Sequence, residues 1–318
     1  MALGDSMKGE LLDFPKQFTK GLEIAKGVFV RNVDSCVLLG MGGSALHGDL
    51  LNAWKNIGMK THRDYGAPEL DSRTLAFACS YSGNTEESLS AFHAAIDAGA
   101  KVVVMTHGGK LKEEAIELGL PLVLIPDCVQ PRCAIGYFFS ATAAVLEASG
   151  LLQGADELRS LEVTADEESA KEMAAKLKGS VPIIYSSNAW QPIARICKIK
   201  FNENSKVPAF YNTFPEVNHN EMVGFTRPLA DYTAIFLRDE ADNERVKKRM
   251  SVTRELYESK GLQCIDYDLR GASFLEKAFS TILQFDWVSF HLALAYGIDP
   301  APVEMVEEFK KKIEQSVF

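Results

Sequence analysis

The sequence lacks the features that would assign it to a secreted, metal-binding or membrane class. Its six cysteines include no C-x-x-C pair, and most lie within apolar runs. We therefore expect buried free thiols in a reducing compartment. No apolar run approaches the roughly 18 residues that a membrane-spanning helix needs, and the N-terminal residues lack the charged-then-apolar pattern of a secretion signal. These absences predict a cytoplasmic protein without a membrane partner.

Basic residues and metal-ligand patterns are also scarce. Lysine and arginine total 34 against 43 aspartates and glutamates, which gives a formal net charge of −9. A nucleic-acid surface normally shows a basic excess, so we expect no nucleic-acid partner. A small anionic substrate remains compatible, because local backbone N–H groups and basic side chains can outweigh a distant charge. The six histidines form no H-x₃-H or HExxH arrangement, so we expect no metal site.

What the sequence does contain is an alternation of short apolar runs and helical patterns. Its 318 residues suit two domains of about 150 residues each. Near-continuous apolar runs are typical of strands buried on both faces, and so of a parallel sheet flanked by helices. The predicted strands of the first half are Ser35–Gly40, Met59–Tyr65, Thr74–Ser80, Lys101–Thr106 and Pro121–Ile125. Helices are predicted from about Ser44, after Thr85 and at 136–150.

An acidic, polar segment after Gly150, "GADELRSLEVTADEESAKE", has the composition of a domain boundary that carries a surface helix. The α/β pattern then restarts. It predicts strands at Val181–Ser187, Tyr232–Arg238 and 262–269, with helices at 190–202 and 243–260. The predicted fold is therefore two doubly wound α/β lobes of flavodoxin-like order, residues 1–150 and 151–318.

Two loops rich in small polar residues follow the first and third predicted strands. They are "GMGGSA" (Gly40–Ala45) and "SYSGNTEE" (Ser80–Glu87). In a sheet of order 2-1-3-4-5 these strands are neighbours, and a crevice opens beyond their carboxyl ends. Helix N-termini offer N–H groups and a positive dipole end, and hydroxyls add short donors. The pattern predicts a phosphate monoester site formed by backbone N–H groups of Gly42 and Gly43 and side chains of Ser44, Ser80, Ser82 and Thr85.

Two other interpretations of these loops are available. Serine and threonine before a helix are usually N-caps, and Asn84 or Thr85 alone would indicate no more than that. "GMGGSA" also matches the dinucleotide fingerprint G-x-G-x-x-G/A, with Asp64 lying 24 residues after Gly40. The second hydroxyl loop favours a sugar phosphate, because a dinucleotide site needs no such cluster on the third strand.

Together, "GMGGSA" and "SYSGNTEE" resemble the sugar isomerase (SIS) domain. Four further motifs are similar to the bifunctional phosphoglucose/phosphomannose isomerases and occur in the same order between about Cys36 and Lys312. These motifs are "QPRCAIGY" (130–137), "FNENSKVPAF" (201–210), "FPEVNHNEMVG" (214–224) and "GIDPAPVEMVEEFKKK" (297–312). The resemblance implies a cofactor-free isomerase that interconverts glucose 6-phosphate and mannose 6-phosphate with fructose 6-phosphate through a cis-enediol.

The same resemblance assigns roles at the reacting carbons. Arg132 would stabilise the enediolate, a role that suits a fixed guanidinium, although such an arginine taken alone is more often a surface group. Glu203 would move the proton between C1 and C2; taken alone it is a solvated carboxylate at a helix end, where the dipole opposes it.

Ring opening is assigned by the resemblance to His219, contributed by the partner subunit of a homodimer, and to Lys310. The register among Lys310, Lys311 and Lys312 stays open, and a lysine cluster on a terminal helix is otherwise a solvated face. Glu216 and Glu221 flank the histidine and are candidates for orienting it.

Two alternatives and one departure from the family pattern remain. A non-catalytic SIS sensor of sugar phosphates would keep both loops without needing Glu203, His219 and a tail lysine together. A SIS enzyme acting on amino sugar phosphates would need a nitrogen-handling site, and no N-terminal nucleophilic cysteine is present.

The family's isomerases of both epimers carry a small threonine near the tail, whereas Ala301, Pro302 and Val303 in "DPAPVEM" have no hydroxyl. We still expect both epimers to react, because space beside C2–C3 should matter more than one hydroxyl.

Overall fold

The structure, a computed structural model, describes residues 3–315, which form two compact units. One unit comprises Glu10–Thr164 and Arg270–Ser280. The other comprises the residues up to Gly9, Ala165–Leu269 and the residues from Thr281 onward. The boundary between two lobes at residue 150, which was predicted from the composition of the segment after Gly150, stays a prediction.

The first unit contains a five-stranded parallel sheet in the order β2-β1-β3-β4-β5. Its strands are β1 Ser35–Gly40, β2 Lys60–His62, β3 Thr74–Cys79, β4 Lys101–Thr106 and β5 Leu122–Leu124. The predicted order and α/β class are confirmed. The two edge strands are shorter than predicted, and short edges are a common way to limit pairing with other chains.

Helices precede, connect and follow these strands. Those in the chain up to residue 148 are α1 Asp5–Asp13, α2 Lys16–Ile24, α3 Leu46–Lys55, α4 Glu86–Asp97, α5 Gly109–Glu117 and α6 Ile135–Ala148. Strand β3 is buried along its whole length, as a continuous apolar run predicts. Ala91, Phe92 and Ala95 of α4 pack in the same apolar cluster as β1, β3 and β4. The helix predicted near Ser44 begins two residues later, because Gly42–Ala45 forms a 3₁₀ turn first.

The second unit contains a four-stranded parallel sheet in the order β7-β6-β8-β9. Its strands are β6 Val181–Ser187, β7 Phe210–Phe214, β8 Tyr232–Arg238 and β9 Gln263–Asp268. The remaining helices are α7 Glu167–Leu177, α8 Gln191–Asn204, α9 Glu244–Ser259, α10 Phe274–Ala295 and α11 Glu304–Gln315. Strands β6 and β8 have the predicted bounds. The edge strand β7 and helix α10 were not predicted.

The cysteines are free thiols throughout, and five of the six are buried. The expectation of buried thiols is therefore confirmed for all except Cys264, which is half-buried. Burial raises the pKa of the Cys36 thiol to about 11, so this group stays protonated at neutral pH. Within residues 3–315, no helix combines the length and the hydropathy needed to cross a bilayer.

Candidate active site

The structure brings the two hydroxyl loops together at the carboxyl ends of β1 and β3. These strands pair directly, with Gly40 opposite Cys79, so their following loops start side by side. The backbone N–H of Tyr81 donates to Ser44 Oγ at 2.9 Å and joins one loop to the other. Ser44 and Ser80 are buried, whereas Ser82 is exposed.

The hydroxyl groups are oriented by bonds from the main chain. Ser80 Oγ accepts from the Gly83 N–H at 3.1 Å and lies 3.0 Å from Thr85 Oγ1. Ser82 Oγ accepts from the Asn84 N–H at 3.3 Å. A serine hydroxyl that accepts an N–H keeps its own hydrogen for another acceptor. The loops therefore present hydroxyl donors of the kind that an anion requires.

Thr85 occupies the N-cap position of α4 but does not use its side chain as a cap. Its backbone is extended, and its side chain makes no capping hydrogen bond to the first turn of this helix. The hydroxyl of Thr85 pairs with Ser80 instead. An interpretation in which Thr85 is only an N-cap therefore does not fit its contacts. The first N–H groups of a helix have no partner within the helix and are therefore able to bind an anion.

Glycine allows close backbone packing around this cluster. Gly83 has a left-handed backbone (φ +70°), and a β-carbon there would come within 1.8 Å of the Gly108 carbonyl oxygen. A β-carbon on Gly43 would come within 2.8 Å of the Arg132 nitrogen and 3.0 Å of the Pro131 carbonyl carbon. The loop after β1 and the turn that carries Arg132 are thus in backbone contact.

Arg132 lies in the 3₁₀ turn Pro131–Cys133 and is only 1% exposed, so its interpretation as a surface group is wrong. The turn is held by Gln17 of α2. The Gln17 Nε2 donates to the Cys133 carbonyl at 2.7 Å, and its Oε1 accepts from the Gly136 N–H at 3.0 Å. Nothing in the local sequence around Gln17 indicated this contact.

Tyr81, between the two serines of the second loop, also fixes the segment that leads to Arg132. Its hydroxyl accepts from the Cys128 N–H at 2.6 Å, and its ring stacks on His107 with centroids 5.2 Å apart. Burial raises the pKa of Tyr81, so the phenol keeps its proton. The only sequence signal for this role was an aromatic residue set among hydroxyls.

Glu203 lies in the second unit, one residue before the end of α8, and is half-buried. The helix end that carries it is anchored to α10. A buried ion pair joins Lys200 Nζ to Asp286 Oδ2 at 2.9 Å, and Asn204 Nδ2 donates to Asp286 Oδ1 at 3.2 Å. These contacts hold the end of α8 that carries Glu203 against α10.

His219 ends the 3₁₀ turn Glu216–His219 and is exposed. The two acids that flank it contact other groups. Glu216 accepts from Asn220 Nδ2 at 2.5 Å. Glu221 accepts from the Tyr185 hydroxyl at 2.6 Å and from Asn212 at 2.5 Å. The contacts of both acids thus suit a role in shaping the loop.

Lys310 lies on α11, is exposed, and pairs with Glu307 at 2.8 Å. Lys312 pairs with Glu308 at 2.5 Å on the same helix. Val303, just before α11, is half-buried, and its carbonyl accepts from the Val306 N–H at 2.9 Å. Across the described residues, no group of three His, Cys, Asp or Glu side chains is placed to hold a metal ion.

Comparison with known proteins identifies the class of fold. The family described as "bacterial phospho-glucose isomerase C-terminal SIS domain" matches residues 166–313. The solved structure of a hypothetical protein from Thermus thermophilus superposes with a TM-score of 0.72 at 19% identity, covering 98% of this chain and 91% of that one. The architecture is therefore that of SIS-domain proteins.

Full-length relatives identify the family. The chain is 37% identical to the bifunctional phosphoglucose/phosphomannose isomerase of Caldicellulosiruptor bescii over 95% of this chain and 97% of that protein. The chain belongs to the family of bifunctional phosphoglucose/phosphomannose isomerases. It is also 36% identical to a D-glucosamine-6-phosphate 4-epimerase of Sulfolobus acidocaldarius, over 61% of this chain and 64% of that protein.

Proposed function

We propose that this protein interconverts glucose 6-phosphate and mannose 6-phosphate with fructose 6-phosphate through a cis-enediol, without a cofactor. Family membership supports the reaction class. The observation that carries the proposal is the cluster of hydroxyls from Ser44, Ser80 and Thr85 beside the N-terminus of α4. This cluster has the short donors and the positive dipole end that suit a phosphate dianion.

The phosphate is bound by the side chains of Ser44, Ser80, Ser82 and Thr85 and by the N–H groups of Gly42 and Gly43. Its role is to hold the sugar while the distant carbons react. Ser44 and Ser82 already accept main-chain N–H groups, so each can turn its own hydrogen to a phosphate oxygen, and the hydrogen-bonded pair of Ser80 and Thr85 keeps one further hydrogen for the same purpose. Binding energy from this remote group can be used at C1 and C2.

At the reacting carbons, Glu203 removes a proton from one carbon and returns it to the other. Arg132 stabilises the negative oxygen that develops on the enediolate. The burial of Arg132 supports this role, because a guanidinium in a water-poor setting acts more strongly on developing charge. The contacts that anchor α8 to Asp286 support the role of Glu203 as the base, because a base works only at a defined distance from the proton that it removes.

Ring opening uses His219 and Lys310, with the histidine supplied by a second copy of the chain. The exposure of His219 on a surface turn suits a residue that acts on another subunit. The protein would then be a homodimer with shared sites. Mixing inactive Glu203→Gln and His219→Ala proteins should restore one intact site per heterodimer, whereas no recovery after subunit exchange would contradict sharing.

Two other functions, a non-catalytic sensor and an epimerase of amino sugar phosphates, can be distinguished from the isomerase by the substrates that the protein converts. A non-catalytic sensor would bind fructose 6-phosphate without converting it, and neither relative named above supports that function. The epimerase of Sulfolobus acidocaldarius favours testing glucosamine 6-phosphate as well. Its match covers a smaller part of the chain than the isomerase match does, so the isomerase is preferred.

The test is a substrate panel with purified protein and EDTA. Fructose 6-phosphate should give both glucose 6-phosphate and mannose 6-phosphate, and fructose without the phosphate should give no measurable product. Turnover of glucosamine 6-phosphate alone would favour the epimerase, and binding of fructose 6-phosphate without turnover would favour the sensor.

A further inference from the structure

The end of α8 carries a lysine in a backbone conformation that disfavours it. Ser205 is the C-cap of this helix, and Lys206 follows it with a left-handed backbone at φ +57°. Glycine is the usual residue at this position, because any β-carbon crowds the next carbonyl oxygen. Residues held in such a conformation tend to occur where neighbouring contacts impose it and where function benefits.

The contacts of the Lys206 side chain indicate what that benefit is. Its Nζ donates to the Glu203 carbonyl at 2.5 Å and to the Asn204 carbonyl at 3.4 Å. It also donates to the Pro300 carbonyl at 2.9 Å. An ammonium group has three donors and no acceptor, and all three of these partners are carbonyl oxygens that accept. A cation at a helix C-terminus is also favoured by the helix dipole.

The third bond connects two segments that are far apart in sequence. Pro300 lies in the short stretch 299–303 that leads directly into α11. Val303 carbonyl accepts from the Val306 and Glu307 N–H groups, so this stretch sets where α11 starts. Lys206 therefore ties the backbone of Glu203 to the segment that contains Val303 and precedes Lys310.

We infer that Lys206 is a positioning residue, which sets Glu203 relative to residues 299–303 without touching the substrate. This inference rests on the proposed function, in which Glu203 is the base, and on the expectation from the sequence that the stretch with Ala301, Pro302 and Val303 lies beside C2–C3. Because a displacement of about 1 Å can lower a rate a hundredfold, loss of the link should act on catalysis and on the choice of epimer.

Two substitutions separate positioning from stability. Lys206→Met removes the donors and keeps the backbone strain, whereas Lys206→Gly removes the donors and relieves the strain. We expect both variants to lose about tenfold to a hundredfold in kcat, with KM for fructose 6-phosphate within about twofold. Both should shift the ratio of glucose 6-phosphate to mannose 6-phosphate. Tm should differ, with the glycine variant above the methionine variant.

A matched control is Asn56→Gly, because Asn56 is the left-handed C-cap of α3 (φ +48°). It should raise Tm without changing kcat or the product ratio. Wild-type kcat and product ratio in both Lys206 variants, beside an inactive Glu203→Gln protein, would overturn the role of Lys206 alone. A kcat that rises and falls in proportion to Tm across the variants would also overturn the positioning role of Lys206. Wild-type proton transfer in Glu203→Gln would instead remove the proposed base, and this inference with it.

Discussion

Gly43 and Arg132 pack backbone against backbone, so that a β-carbon at residue 43 would lie 2.8 Å from the Arg132 nitrogen. To make room for a β-carbon, either the loop that contains Gly43 or the turn that carries Arg132 must move, and both belong to the candidate site. Gly43→Ala should therefore displace the turn that carries Arg132, destabilise the fold by about 1–3 kcal/mol and lower kcat at least about tenfold.

The measurement for this variant is kcat together with the urea midpoint. Gly9→Ala is the matched control, because a β-carbon at that helical glycine meets nothing within 4 Å. It should keep wild-type kcat. A Gly43→Ala protein with wild-type kcat and stability would show that the contact does not position Arg132.

Ser82→Ala and Thr85→Ala should mainly raise KM. A hydrogen bond to a charged group contributes about 1.5–3 kcal/mol, so each loss should raise KM for fructose 6-phosphate about tenfold to a hundredfold. Some loss of kcat is expected too, because phosphate binding also serves the reacting carbons. Ser72→Ala is the control, because exposed Ser72 precedes β3 and so lies near the amino end of this strand, away from the hydroxyl loops at the carboxyl ends. Full activity on a sugar lacking phosphate would remove the phosphate assignment.

Val303→Gln should suppress turnover of mannose 6-phosphate much more than that of glucose 6-phosphate. Both epimers give the same planar enediol, so forming both requires rotation about C2–C3 and space for it. Valine has nearly the shape of threonine and cannot hydrogen-bond, so Val303→Thr should retain both activities. If the wild-type protein isomerises glucose 6-phosphate and leaves mannose 6-phosphate untouched, the missing hydroxyl decides, and not the missing bulk.

His47, at the start of α3, should make the fold sensitive to acid. Full burial, with a smaller contribution from Arg63, lowers the pKa of its imidazole from 6.5 to about 3. Between pH 6.5 and about 3, His47 is therefore protonated in the unfolded chain and neutral in the folded chain. This contribution to stability is complete above pH 6.5 and falls by about 1.4 kcal/mol per pH unit as the pH drops from 6.5 toward 3.

Urea midpoints at pH 7, 6 and 5 test this expectation. His47→Leu should flatten the acid slope relative to the wild-type protein, because leucine takes up no proton. Equal slopes in the two proteins would mean that other groups cause the acid sensitivity.

Much of the fold was predictable because buried strands have a strong signature. The strands β1, β4, β6 and β8 were predicted with their observed bounds from near-continuous apolar runs. Strand β7 was missed because it is a half-exposed edge whose sequence, "FYNTF", mixes aromatic and polar residues. A pattern that depends on burial on both faces cannot identify such an edge.

The hydroxyl loops of the candidate site were predictable for a related reason. Once the strand order is known, the ends of β1 and β3 must be neighbours, and so must Ser44 and Tyr81. The contact of Gln17 with Cys133 was not predictable, because it joins residues 116 apart and depends on how α2 packs. The link from Lys206 to Pro300 was hidden for the same reason.

The most direct test of the proposed chemistry compares wild-type and Glu203→Gln proteins on fructose 6-phosphate, in the presence of EDTA. The substitution keeps the size of the side chain and removes the proton acceptor. We predict that the wild-type protein forms glucose 6-phosphate and mannose 6-phosphate. Glu203→Gln should lose at least about 10² to 10⁴ in kcat while still binding a substrate-like inhibitor. A Glu203→Gln protein that exchanges the C2 proton with solvent at the wild-type rate would contradict the account.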